Sequence, residues 1–351
     1  MSTPQVTNYQ DRYYGGAGMI RLYGFDLVRK VVDVSTFSPW FLARDPGRRT
    51  PLEAETLELT GPTDRFTLDV DFEERFRGFA PVQPPKPRPA SAVMPRGTLA
   101  YWRFDASGTA PGPAGTPVAE GAVVRDLSGR GNHLTVSRLH AGEPDTLLWS
   151  TDHHPGQPAH ASLRFDGGKS PDRGAVLTTG ARAPLNSETF TSGYTIETFI
   201  RLPEPFEGDH AWMGILSRQG RNGDAGKTTG WSSLEPTCSL NVSPERFLQY
   251  VVYPHRQDAD PTSWSHAVPV GRWMHIAVVN DGHRTVMYVD GSRIARNPSQ
   301  ASTGIATLGK PFVMGGTQFD ERFGQGFYGW IGDTRIVNRA LSPREFMAPQ
   351  A

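Results

Sequence analysis

Four groups of residues in this sequence have types and spacings that chemistry uses. The first is acidic. Asp69, Asp71 and Glu73 in TLDVDFE fall at i, i+2 and i+4, one face of a strand. Cleaving a glycosidic bond needs two carboxylates roughly 5 to 9.5 Å apart. That series stands at a strand end early in the chain. Glu197 in YTIETFI has no acidic partner at 195, 199 or 201 and reads as a hydrogen-bonded structural carboxylate. The second group is TDHHPGQPAH, with His153, His154 and His160 beside Asp152. In a loop, neighbouring histidines can converge on a transition metal; with no cysteine to assist, a solvated loop is the plainer reading. The third is a set of long polar loops studded with rings: GDHAW, GKTTGWSSLE, YPHRQDADPTSW and GGTQFDERFGQG. Aromatic faces beside polar groups suit sugar or peptide recognition, and Trp212, Trp231, Tyr253, His255, Arg256 and Trp264 are the candidate ligand contacts. The fourth is YYGGAGM. It lacks the lysine of a P-loop and the GxGxxG of a dinucleotide loop, and a strand follows it, so it reads as a turn. No GxSxG occurs, and Cys238 is the only cysteine, read as a packed thiol.

The elements that carry these groups are mostly strands. GMIRLYGFDLV and KVVDVSTFS form a predicted hairpin. RFTLDVDF alternates, with Phe66, Leu68, Val70 and Phe72 on one face. PVQPPKPRPASAVMP, rich in proline, cannot complete a helix or a sheet ladder. It sets a linker at 79–96 between a small β region at 1–78 and a larger domain at 97–348. Beyond it, strands are expected at LAYWRFD, SLRFD, YTIETFIRL, WMGILSRQ, CSLNV, FLQYVVYP, WMHIAVVN, RTVMYV, KPFVM and GFYGWIGDTRIVNRA. NDG and VDG mark tight hairpin turns. Only LSPREF looks helical. Ten strands without long helices between them make the class all-β, with two antiparallel sheets stacked as a sandwich.

Composition narrows the function. The chain has 351 residues, 37% of them hydrophobic, with 36 basic and 36 acidic side chains. Zero formal charge gives no basic excess for nucleic acid or an anionic membrane, and neither is an expected partner. The first 30 residues show no basic segment followed by an apolar stretch, and no apolar run of 18 residues occurs in the sequence.

LAYWRFD, VVRDLSGRGNHLT, SLRFDG, YTIETFIRL, RWMHIAVVNDGHRTVMYVDG and GFYGWIGDTRIVNRALSPREF occur in the order found in the laminin-G-like, concanavalin-A-like jelly-roll family. Residues 97–348 resemble that family, with Thr334 after Asp333 where the family pattern has an acidic residue. The resemblance implies a jelly-roll β-sandwich in which Trp273 and Met274 wedge the sheets apart. It also implies a structural calcium ion near a sandwich edge; the residues at the matching polar positions are Asp105, Asp126, Asn132, Asp166 and Asp333. NYQDRYYGGAGMIRLYGFD, VVDVSTFSPW and DRFTLDVDF, within 7–73, resemble the C-terminal tail of bacterial calcineurin-like metallophosphoesterases. The metal motifs of that family are absent, so the resemblance implies parentage rather than phosphoester hydrolysis.

These readings make the chain a non-catalytic binding or accessory module. Its expected ligand is a carbohydrate or cell-wall polymer, and its expected setting is secreted or extracellular, as part of a larger or processed protein. The alternatives are a structural or assembly protein that packs on a partner subunit, either a second copy in a homo-oligomer or a separate phosphoesterase chain, and a metallophosphoesterase subunit or glycoside hydrolase with a non-standard site.

Overall fold

The computed structural model describes residues 8–76, 85–169, 172–294 and 296–348. The chain divides into two compact units, Met1–Gln83 and Pro84–Ala351.

In the first unit, Val31–Phe37 is the central strand. It pairs antiparallel with Ile20–Asp26 on one side, and on the other with Glu58–Leu59 and Phe66–Asp69. Val31, Val32 and Val34 are buried, as β-branched residues on a pleated surface should be. The expected apolar face of RFTLDVDF does not form. The strand stops at Asp69, Leu68 is exposed, and Phe72 belongs to a helical turn, Phe72–Arg75. Asp71 caps that turn by accepting the Glu74 N–H at 3.0 Å. The acidic i, i+2, i+4 series therefore does not share a strand face. Two further helical turns, Pro39–Leu42 and Pro51–Glu55, begin at Ser38 and Thr50 caps with proline in the first turn. YYGG is itself a short helical turn, with Tyr14 and Gly15 in left-handed backbone, and it precedes the strand as expected.

The second unit is a sandwich. Its front sheet runs, neighbour to neighbour, Thr262–Ala267, Phe247–Val252, Pro236–Val242, Met213–Arg221, Phe312–Met314, Ala175–Thr179, Leu134–Arg138 and Val123–Val124. Its back sheet runs Ser292–Arg293, Thr285–Val289, Trp273–Asn280, Tyr194–Arg201, Tyr328–Val337, Ser162–Asp166 and Leu147–Ser150. Thr98–Trp102 also pairs with Tyr328–Val337. Trp102, Phe165, Ile196, Leu240, Ile276 and Met314 are buried between the sheets, each such side chain contributing roughly 1.5–3 kcal/mol of burial. Strand periodicity sorts the rest: Cys238, Leu240 and Val242 enter the core, so Ser239 and Asn241 face outward. Cys238 is a buried free thiol, pushed up to about 11 by burial. The VDG turn has left-handed backbone at both Asp290 and Gly291, the geometry that matches strand twist.

Met274 joins the core, but Trp273 does not wedge the sheets. It lies on the outer face of the back sheet, packed with Tyr101, Phe199, Val93 and Met347. That face is covered by two segments. Ala90–Val93 is a 3₁₀ turn, and Pro343–Glu345 is another, with a Ser342/Glu345 capping box. Arg335 donates to both Val93 O and Glu345 O, and the Arg88 N–H donates to Pro158 O at 2.9 Å. The proline-rich stretch is therefore a connector only in part: its last residues are a built piece of the sandwich, and 79–84 lie outside the described residues.

Glu197 sits beneath this cover, fully buried. It accepts from Arg335 Nε at 2.8 Å, from the Met347 N–H at 2.6 Å and from His275 Nε2 at 3.1 Å. Burial alone pushes its carboxyl up, but the His275 hydrogen bond and the Arg335 charge hold it below its ordinary value.

An aromatic pocket on the front sheet

The outer face of the front sheet carries a concave site of about 340 Å³. Its floor is built by strand register. Asn241 stands opposite Gln249, and Gln249 opposite Trp264. Ser239 and Val251 form the adjacent row. Trp212, Trp231, Glu235, Thr317, Phe319 and Gln325 rise around this floor. Trp212 meets Trp264 edge to face, with ring centroids 6.1 Å apart. Trp231 is 73% exposed, a ring held out at the rim.

Two rim residues, Trp212 and Gln325, hold left-handed backbone (φ 57° and 52°). Such strain costs on the order of 1–3 kcal/mol each and collects at functional sites. Gly214 allows the closing segment to come near: a Cβ there would overlap the Gly316 carbonyl and the Thr317 hydroxyl. Its N–H also donates to Gln325 O at 3.1 Å. Gly214→Ala is expected to cost about 1–3 kcal/mol of stability, read as a lower urea midpoint, and to distort the Thr317 wall.

The polar groups of the pocket are incompletely used. Asn241 donates its amide to Ser239 Oγ at 3.1 Å, while its Oδ1 has no partner. Thr317 Oγ1 also has none. Both residues are about 95% buried, at 4% and 5% exposure. Buried polar atoms without a protein partner are open to water or to a ligand, and such atoms occur elsewhere among the described residues too. Glu235 accepts the Tyr253 hydroxyl at 2.6 Å. Burial raises the Glu235 carboxyl, and Asp260 raises it further against the pull of the Tyr253 bond.

Three of the six expected ligand residues, Trp212, Trp231 and Trp264, thus converge on one pocket. Tyr253 stands behind it, orienting Glu235. His255 and Arg256 do not line it. Their nearness to Tyr253 in sequence was no guide, because the chain leaves the strand at Val252: the His255 N–H and O are spent on Thr303 O and Lys227. Glu235, Asn241, Gln249, Thr317, Phe319 and Gln325 were missed. The signal available for Asn241 was a polar residue alternating with Leu240 and Val242.

The calcium set does not assemble as expected. Calcium takes six to eight oxygens, but these side chains are taken up by donors of the protein itself. Asp126 accepts from the Tyr101, Ser128 and Asn132 N–H groups. Asn132 bridges Leu99 O and the Leu185 N–H. Asp105 pairs with Arg103 and caps Ser107. Asp166 pairs with Arg173 at 3.1 Å. Asp333 accepts from the Tyr101 hydroxyl at 2.7 Å and the Ala159 N–H at 3.0 Å. The first and last strands do lie side by side, but the carboxylates they carry serve as structural acceptors. Nor do the histidines converge. His153 and His160 stack, with ring centroids 4.1 Å apart. The His154 Nδ1 accepts the Gly156 N–H, and burial lowers its pKa to about 4. Among the described residues, no three His, Cys, Asp or Glu side chains gather as a metal would require.

Stacked antiparallel sheets with a cleft on one outer face define a jelly-roll β-sandwich of the concanavalin-A-like class. Residues 176–346 match the Laminin_G_3 family model, described as the Concanavalin A-like lectin/glucanases superfamily. That match does not reach residues 7–73, whose likeness to phosphoesterase tails rests on their sequence. No curated protein matches the chain. Among solved structures, domain 4 of AbnA, a GH43 extracellular arabinanase from Geobacillus stearothermophilus in complex with arabinotriose, is similar at 14% identity. Its TM-score is 0.41, with 72% of this chain and 98% of that chain covered. A Trypanosoma rangeli sialidase is similar at 12% identity and TM-score 0.40, covering 76% of this chain and 35% of its own. The CBM40 of a Ruminococcus gnavus IT-sialidase, bound to alpha2,3 sialyllactose, is similar at 18% identity and TM-score 0.36, covering 45% and 81%. Among the described residues, no helix is long and apolar enough to cross a membrane.

Proposed function

We propose that the chain is a carbohydrate-binding module and that the front-sheet pocket is its binding site. The observation that carries this reading is the pairing of three tryptophans with a floor whose buried Asn241 Oδ1 and Thr317 Oγ1 lack partners. A sugar ring offers both things this surface wants: an apolar C–H face for an aromatic ring, and hydroxyls for polar atoms. The front sheet supplies a rigid floor, so little ordering cost falls on binding. A glycan on a cell surface or a wall polymer is the fitting partner, which places the protein's work outside the cell.

Titration of the full chain against a panel of oligosaccharides tests this. Trp231→Ala, at an exposed position, is expected to leave the melting temperature unchanged and to weaken glycan binding by tenfold or more, the loss of about 1–3 kcal/mol of ring contact. Trp264→Ala is expected to weaken binding likewise, with some loss of stability because its half-buried ring packs edge to face on Trp212. Absence of glycan binding, or binding indifferent to both substitutions, refutes the reading.

The first unit favours a second role beside this one. Leu22, Phe25, Leu27 and Val28 are exposed at 50%, 64%, 70% and 94%, more apolar surface in one small unit than solubility alone calls for. Packing of residues 8–76 on another protein chain, as a phosphoesterase-like tail would pack on its parent body, is the role that surface supports. Light scattering of the full chain reads it directly.

A further inference from the structure

The aromatic pocket has an electrostatic sign. None of its lining residues is a lysine, arginine or histidine, and its one charged wall residue is Glu235. Asp260 stands close behind: its Oδ2 lies 3.1 Å from where a Cβ on Gly230 would be, the same spot that abuts the Tyr253 hydroxyl. Burial raises both carboxyls, and the nearness of Asp260 raises Glu235 further. Three of the neighbouring cations are committed elsewhere, while Arg322, exposed across from the wall residue Phe319, lies at the pocket's edge. Lys227 donates to His255 O and Gln257 O. Arg221 pairs with Asp224 and Asp320. Arg296 donates to Ser265 O and lies over the Phe247 ring. Of the two polar side-chain atoms left over, Asn241 Oδ1 accepts and the Thr317 hydroxyl can donate or accept. Tryptophan faces attract cations as well as C–H groups. Beside its neutral amide and hydroxyl groups, a pocket of π-faces whose one lining charge is Glu235 disfavours an anion and favours a cation.

Resting on the glycan reading above, we infer that this pocket selects sugars bearing a free, protonated amino group, such as 2-amino-2-deoxy-hexose units, over their N-acetylated and uronic-acid counterparts. The ammonium would stand at Glu235, where a charge-assisted hydrogen bond replaces a missing counter-ion, while the ring faces the tryptophans. N-acetylation removes that charge, and a uronate reverses it.

Calorimetric titration of the full chain with three hexasaccharides tests this: a fully de-N-acetylated chitosan oligomer, the matching chitin oligomer, and an oligogalacturonate, all below the amine's pKa. The amine is expected to bind about tenfold more tightly than its N-acetylated twin, the worth of one charge-assisted bond, and the uronate not to bind. The preference is expected to vanish in Glu235→Gln and to narrow as ionic strength rises. Equal or tighter binding of the N-acetylated or uronate oligomer, if lost in Trp231→Ala, overturns the charge preference and leaves the glycan reading standing. Failure of every oligosaccharide in this set and in the wider panel removes both.

Discussion

Replacing Glu197 by alanine is expected to destabilise the sandwich by about 3–5 kcal/mol, the cost of leaving one member of a buried ion pair without its partner. Arg335, 1% exposed, would keep its charge without its buried carboxylate partner. The Met347 N–H and the His275 Nε2 would lose their acceptor in the same step. Urea unfolding reads the loss as a drop in midpoint at unchanged slope. Replacing both partners with apolar residues, Glu197→Leu with Arg335→Met, is expected to recover much of it, because the penalty belongs to the stranded charge. A single-site loss below about 1 kcal/mol would mean that water reaches Arg335 through the cover, and the account of that cover would be wrong.

Asp333 gives the second large effect, and its sign is opposite to that of most carboxylates. Burial pushes its carboxyl up to about 7, although the Tyr101 hydroxyl and the Ala159 N–H pull the other way. In the unfolded chain the same group titrates near 3.8. Below about pH 4 both states hold the proton. Between about pH 4 and 7 the unfolded chain gives its proton up while the folded chain keeps it. The contribution of Asp333 is therefore complete below the lower value and is lost as pH rises through the upper one, roughly 4 kcal/mol across the window. Glu197 works in the opposite direction, so the comparison must be made against Asp333→Asn. The stability of the natural chain relative to that variant is expected to fall steadily over this range. Parallel curves would show that the carboxylate is ionised and well solvated by its donors.

The fold was legible where residue type and turn chemistry agreed. Tyr194–Arg201, Trp273–Asn280 and Tyr328–Val337 are rich in β-branched and aromatic residues, and two of them are flanked by glycine turns. Thr262–Ala267 was not legible: TSWSHA has only Trp264 and Ala267 as apolar residues, and the tryptophan faces outward into the aromatic pocket. Val123–Val124 and Leu134–Arg138, on either side of a glycine-bearing turn, were not among the expected strands. The pocket was half legible for a related reason. Tryptophans in polar loops announce themselves. Asn241 and Gln249 do not, since an outward polar residue on a strand is ordinary until the sheet shows that loops have roofed it over. Trp273 misled because a tryptophan in a strand is expected inside, and the sequence does not show that the outer face is covered as well. That cover comes from residues of a proline-rich segment and from the LSPREF turn and the residues after it, far apart in sequence and joined by Arg335, by the Arg88–Met347 hydrogen bond and by the packing of Val93 on Met347.

The pairing of Thr98–Trp102 with Tyr328–Val337 also sets an order in time. Tyr101 and Asp333 are 232 residues apart along the chain. The back sheet can hydrogen-bond its central strand on both sides only once nearly all of the unit has been synthesised. Ends so distant must be brought together against the entropy of the intervening chain before any contact between them is rewarded. During that interval the front-sheet strands, with their inward leucines and valines, stand without the layer meant to cover them. The sandwich is therefore expected to be a slow folder whose nascent form is the state most exposed to aggregation.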